Sequence, residues 1–143
     1  MILLLLITVA FAATTFKTIF NFVTSELFHQ PYQEPYLLAT LVSHFNVDDT
    51  KTNRLIGSGI QYSMGLLFVI AFQGLLHSGW ITLSYHSILL YGTFIGILSM
   101  LGWLFIFMQA RSKPQMNSYG YYTQLFMGNI VFAFTVAGCY MII

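Results

Sequence analysis

Few side chains in this sequence are suited to chemistry. Lys17 is the one charged residue inside a long apolar run. Thr14, Lys17, Thr18, Asn21 and Ser25 recur at helical spacing as a polar stripe, with Glu26 just beyond. Such a stripe would bind an anion or a headgroup, or line a shallow vestibule. The plainer reading is a set of polar residues near a helix end. At about 1.5 Å of rise per residue, Lys17 lies roughly 22 Å along from Ile2, so its ammonium is expected to reach the interface along its apolar stem. His77 and His86 close one apolar segment and open the next. A hairpin would bring the two imidazoles to one surface, where they would bind a metal or redox cofactor or titrate. No Asp, Glu or Cys stands between them to complete a ligand set, so imidazoles bonded to water and backbone are the plainer reading. Asn129, Gln61 and Gln73 are uncharged polar groups within apolar segments. They would hydrogen-bond across helices, or else mark a substrate path.

Several reaction classes are excluded. The four carboxylates all fall between Glu26 and Asp49, so paired-carboxylate catalysis inside an apolar segment is ruled out. Phosphate-binding loops, zinc spacings, nucleophile elbows and dinucleotide fingerprints are missing. None of the four histidines stands mid-segment, which argues against a buried bis-histidine haem. The single cysteine, Cys139, has no partner for an internal disulfide. No enzymatic activity is expected, and no cofactor of this chain's own beyond bound lipid.

The elements that must position these groups are set by hydrophobicity. Of 143 residues, 57% are hydrophobic and 6% charged. Soluble domains carry roughly 25% charged residues, so this chain lacks the side chains to cover a water-facing surface. Net charge is +1, which gives no footprint for nucleic acid. Crossing a hydrocarbon layer of roughly 30 Å takes about 20 mostly apolar residues. Four stretches qualify: Ile2 to Val23, Leu55 to Leu76, Ser87 to Met108 and Tyr122 to Ile143. Backbone groups in lipid must be satisfied within the segment, so these are helices of an all-α, four-span bundle forming one membrane domain over residues 1–143. The segment from Met1 to Ala13 lacks a positive n-region and is expected to be half of span one, not a cleaved secretory signal.

Lys51 and Arg54 stand between spans one and two, and Arg111 and Lys113 between spans three and four. The connection from Ser78 to Ser84 carries no charge. Four of the five basic residues thus collect on one side, which the positive-inside rule makes cytoplasmic, with both termini on the other. Tyrosine and tryptophan gather near the expected boundaries, as at Tyr32, Tyr36, Trp80, Tyr85, Tyr119 and Tyr140, whereas Trp103 sits deeper and is read as a packing residue. The long connection, His29 to Asn53, contains Glu34-Pro35 followed by Leu37, Leu38, Leu41 and Phe45 on one side at helical spacing. That pattern predicts a short helix lying in the cytoplasmic interface, with Asp48 or Asp49 capping the second span. The third connection, Arg111 to Asn117, reads as a plain turn around Lys113-Pro114.

Lipid tails are as apolar as leucine, so the spans must associate through small residues and polar contacts. Span three carries Gly92, Gly96, Ser99 and Gly102 near one face; span two carries Gly57, Gly59, Ser63 and Gly65. Span four has Gln124, Gly128, Thr135 and Gly138 along one stripe and Ala133 and Ala137 along another. These stripes are expected to pack the bundle together or to dock it against other chains.

Glu34, Pro35, Leu37 and Leu38 after span one, the glycine-rich third span ending in Gly102-Trp103, and Tyr121 to Phe126 opening span four together resemble small bacterial four-span membrane proteins. The likeness runs over most of the chain. It implies the bacterial inner membrane and no particular activity. It also implies a histidine where Asn129 stands, so a histidine-dependent activity there is not expected of this chain. The expected role is that of a structural or accessory subunit, packed against other membrane subunits or copies of itself. The alternatives are an oligomeric small-solute transporter or channel with Lys17, Asn21 and Asn129 along its path, and a metal or redox-cofactor site at His77 and His86.

Overall fold

The computed structural model describes residues 1–30, 37–39, 41, 50–109 and 118–143. Four long helices form an all-α bundle: α1 (Ile2–Phe28), α2 (Thr50–His77), α3 (Tyr85–Gln109) and α4 (Ser118–Ile142). Each is long and apolar enough to cross a membrane, and the chain is an integral membrane protein. A short helix lies between α1 and α2, with Leu37, Leu38, Ala39 and Leu41 as its described residues.

The helices run past the apolar segments that mark them in sequence. Hydropathy registers only what must sit in hydrocarbon, whereas backbone pairing continues until a local signal stops it. α1 stops at His29, in the left-handed region at φ 51°, where the Gln30 N–H returns to the Ser25 carbonyl. α2 stops in the same way at Gly79, φ 76°, with the Trp80 N–H on the Leu75 carbonyl. α3 starts after Ser84, whose Oγ accepts the Ser87 N–H at 3.4 Å as an N-cap. The caps predicted at Asp48 or Asp49 and the turn at Arg111 to Asn117 lie outside the described residues, as do Glu34, Pro35, His44 and Phe45.

Around the bundle the close contacts run α2 to α1, α1 to α4, and α4 to α3. Small residues decide how near each pair comes. A methyl added at Gly92 would meet Ala133 Cβ and the Ile130 backbone, both at 3.1 Å, and one at Gly96 would meet the Phe126 ring at 2.8 Å. These glycines let α3 lie directly on α4. Ala133 and Ala137 are buried in the same core, with Val9, Ala10, Ala13, Phe72, Ile95, Phe132 and Val136.

α2 and α3 adjoin in sequence but are not closely packed along their length. They meet near the hairpin, where the Tyr91 hydroxyl donates to the Phe68 carbonyl and the Tyr91 ring stands edge-on to Phe72, centroids 5.1 Å apart. At the other end, Trp103, Phe107, Tyr121, Leu125 and Leu37 form a second apolar cluster. Leu37 is fully buried in it, so the described part of the short helix packs its apolar side onto the bundle.

Candidate functional site

The α1 stripe turns inward. Thr14, Lys17, Asn21 and Ser25 follow one another at about one helical turn, so they share a face, and that face is buried against α4 and α2. Lys17 is 7% exposed and its Nζ donates to Asn129 Oδ1 at 3.2 Å. The expectation that Lys17 reaches the interface therefore fails. About eleven residues, or roughly 16 Å, separate it from Phe28, and its ammonium turns to an acceptor on α4 instead. Asn129 passes the connection on, its Nδ2 donating to the Leu125 carbonyl at 2.8 Å. One turn further along, the Gln124 amide donates to Asn21 Oδ1. Gly128 makes room for this pairing: a methyl there would meet Asn21 Oδ1 at 2.9 Å and Lys17 Cγ at 3.6 Å.

A second polar seam joins α1 to α2. Gln61 Nε2 donates to Thr18 Oγ1 at 3.2 Å, and Thr18 in turn donates to the Thr14 carbonyl at 2.7 Å. Thr15 and Tyr62 share a hydrogen bond of 3.0 Å beside the stacked rings of Phe11 and Tyr62. Gly65 lies against Thr14, close enough that a Cβ would fall 2.1 Å from Thr14 Oγ1.

Between α2 and α3 lies a cavity of about 190 Å³, open to the outside of the bundle past Ile60, Met64 and Gly102. Ile60, Met64 and Phe68 of α2 form one wall, and Ser99, Gly102, Trp103 and Ile106 of α3 form the other. Phe132 closes the back and Leu38 of the short helix the inner end. Polar groups enter through Thr14, Lys17 and Gln61. Thr14 is 1% exposed and Gln61 4%, and among the described residues Thr14 Oγ1 and Gln61 Oε1 have no hydrogen-bond partner, as is also true of Asn21 Nδ2 and Gln124 Oε1 on the α1–α4 seam.

The structure thus sets two bonded pairs, Lys17 with Asn129 and Asn21 with Gln124, along one α1–α4 seam, bonds Gln61 to Thr18 on the α2 side of α1, and leaves Gln73 apart on α2 near the hairpin. His77 and His86 are both exposed beside the hairpin. Among the described residues no group of three or more His, Cys, Asp and Glu could hold a metal ion. Gly92, Gly96, Gly128, Ala133 and Ala137 lie at helix–helix contacts inside this chain, whereas Ser99 and Gly102 line the cavity. Sequence reading took Trp103 for packing alone and gave Met64, Phe68 and Phe132 no role. Gly102 beside Trp103 was the available signal, since a missing side chain next to a large one is how a helix face opens a pocket. No family profile, curated protein or solved structure matches this chain.

Proposed function

We propose that this chain is a membrane-embedded binding protein, which admits an amphipathic molecule from the bilayer between α2 and α3. The observation that carries this reading is the apolar cavity with a buried lysine among its lining residues. An apolar pocket with a few convergent polar groups is the usual form of a small-molecule site. An ionisable residue held inside a membrane bundle points the same way. Basic residues on both connections at one end support a cytoplasmic assignment for that end and the opposite side for both termini. The bacterial inner membrane is part of the proposal on the resemblance alone.

The test is retention through purification. Protein extracted in mild detergent should carry a stoichiometric amphiphile, identified by solvent extraction and mass spectrometry. Gly102→Leu, which fills the cavity from a position where a Cβ meets nothing within 4 Å, should lose it. Equal recovery from both proteins would remove the pocket as a binding site.

A second reading, the accessory subunit, has its own support. Added methyls at Gly59, Gly74, Gly102 and Gly138 would meet nothing within 4 Å. Internal packing does not require those glycines, while close approach of another helix would use them. A chain that runs as a partner-free monomer at native expression levels would argue against it. The small-solute path along Lys17, Asn21 and Asn129 has less support, because these side chains are bonded within the bundle. Metal at His77 and His86 would need ligands from elsewhere.

A further inference from the structure

We infer that the α2–α3 cavity holds one unbranched acyl chain of a phospholipid, whose phosphate stays outside at Arg54; this rests on the binding reading above. The shape of the space comes first. Its walls run from Ile60 to Phe68 on α2 and from Ser99 to Ile106 on α3, about 12 Å and about 10 Å along the two helices. The space totals about 190 Å³, and a cavity of about 150 Å³ in another protein takes the six carbons of benzene. By that measure this one takes about eight carbons. Spread over about 12 Å, they lie about 1.5 Å apart, the length of one carbon–carbon bond, as in an extended chain. A ring would gather its carbons and leave part of the slot empty. A neighbouring helix, about 10–12 Å across, is too wide to enter.

The polar groups come next. Lys17 bonds to Asn129, Gln61 bonds to Thr18, and Thr14 Oγ1 and Gln61 Oε1 are sealed off from the slot. None of the three offers a headgroup a contact, so the occupant is hydrocarbon. The slot opens past Ile60, Met64 and Gly102, all exposed, onto the face that lipid covers. An empty slot there forfeits dispersion contacts along its walls, which a chain from the bilayer restores. Ile60 lies about 15 Å from the start of α2, too deep for a phosphate to keep its hydration. Arg54 is exposed on the same helix, about 9 Å nearer that start. Its guanidinium is the complement of a lipid phosphate at headgroup depth. The head binds there, and the chain runs inward to the slot.

Native mass spectrometry of the protein in mild detergent, with lipid added, reads the site directly. Three probes share a phosphatidylglycerol head and carry dipalmitoyl, methyl-branched diphytanoyl or dihexanoyl chains. A fourth, dipalmitoylglycerol, lacks the phosphate. One dipalmitoyl phospholipid should bind saturably. The branched chains are too wide for the slot and the short ones end before they fill it, so each should bind about tenfold more weakly. Gly102→Leu should abolish the saturable binding. Ser99→Leu fills the same slot from one turn away and keeps the test open should Gly102→Leu fail to fold. Arg54→Gln should weaken the dipalmitoyl phospholipid about fivefold, the share of one basic residue beside an anionic head, and leave dipalmitoylglycerol unchanged. Equal binding of straight and branched lipids, lost in Gly102→Leu, overturns the single chain and keeps the pocket. Phospholipid binding that ignores Arg54→Gln overturns the placement of the phosphate. Saturable binding of no probe, or binding unchanged in both Gly102→Leu and Ser99→Leu, sinks the chain and the binding reading together.

Discussion

The α1–α4 seam and the α2–α3 side lie at the same depth in the bundle and are built in opposite ways. Along the first, Gly128 removes a side chain so that Lys17, Asn21, Gln124 and Asn129 can close hydrogen bonds between two helices. Along the second, Gly102 removes a side chain and nothing moves in to fill the space. One glycine brings backbones together, and the other leaves a cavity that Tyr91 bridges at the hairpin end. A glycine in a membrane helix is therefore not a packing signal until its neighbour is known. Both regions leave amide atoms unpaired among the described residues, Asn21 Nδ2 and Gln124 Oε1 on the seam and Gln61 Oε1 on α2, whereas Asn129 bonds through both its oxygen and its nitrogen.

The comparison breaks most visibly at Gly128. Gly128→Leu should cost about 3 kcal/mol, the upper range for overpacking a filled site, and lower the midpoint of unfolding in a mixed-micelle titration. The matching change on the open side, Gly102→Leu, should stay within about 0.5 kcal/mol of the parent protein. Equal losses at the two positions would mean that the α2–α3 side is packed after all. Asn129→Leu comes next. It strips the Oδ1 acceptor from a buried ammonium and should destabilise by about 1.5–3 kcal/mol, with Asn129→Gln retaining part of that stability by thermal melting in detergent. Tyr91→Phe is smaller, about 0.6 kcal/mol, the average for one hydrogen bond between membrane helices. Its sharper readout is geometric: spin labels at Leu67 and Leu98, both exposed, should broaden their distance distribution as the bridge is lost. The smallest effect belongs to Gly102→Ala, which should be neutral or slightly stabilising, because the added methyl meets open space and alanine is the better helix former.

Much of the architecture was legible without coordinates. Four runs of about 20 apolar residues, with 6% charge overall, leave lipid as the only solvent that suits this chain. Gly92-xxx-Gly96 and Ala133-xxx-Ala137 were visible as close-contact surfaces, and they meet at Gly92 and Ala133, while Gly96 packs on Phe126. The site was legible only in pieces. Lys17, Asn21, Gln61 and Asn129 stood out as polar residues in apolar surroundings. Their grouping did not, because Lys17 and Asn129 are 112 positions apart and no local pattern links them. Depth along α1 suggested a lysine that reaches the surface; the choice between lipid interface and Asn129 depends on which way the face of α1 turns. The short helix shows the same limit. Its leucine spacing predicts an apolar face, but not whether lipid or Trp103 covers it.

By itself, then, the order of residues determined where the chain enters hydrocarbon, since transfer of a segment from water depends on its own side chains and its own backbone bonds. Only the tertiary structure decided which glycine became a contact and which became part of a cavity, and which polar groups found partners across the seams. Those outcomes depend on the rotation and spacing of helices around one another, and that is fixed by all four packing together.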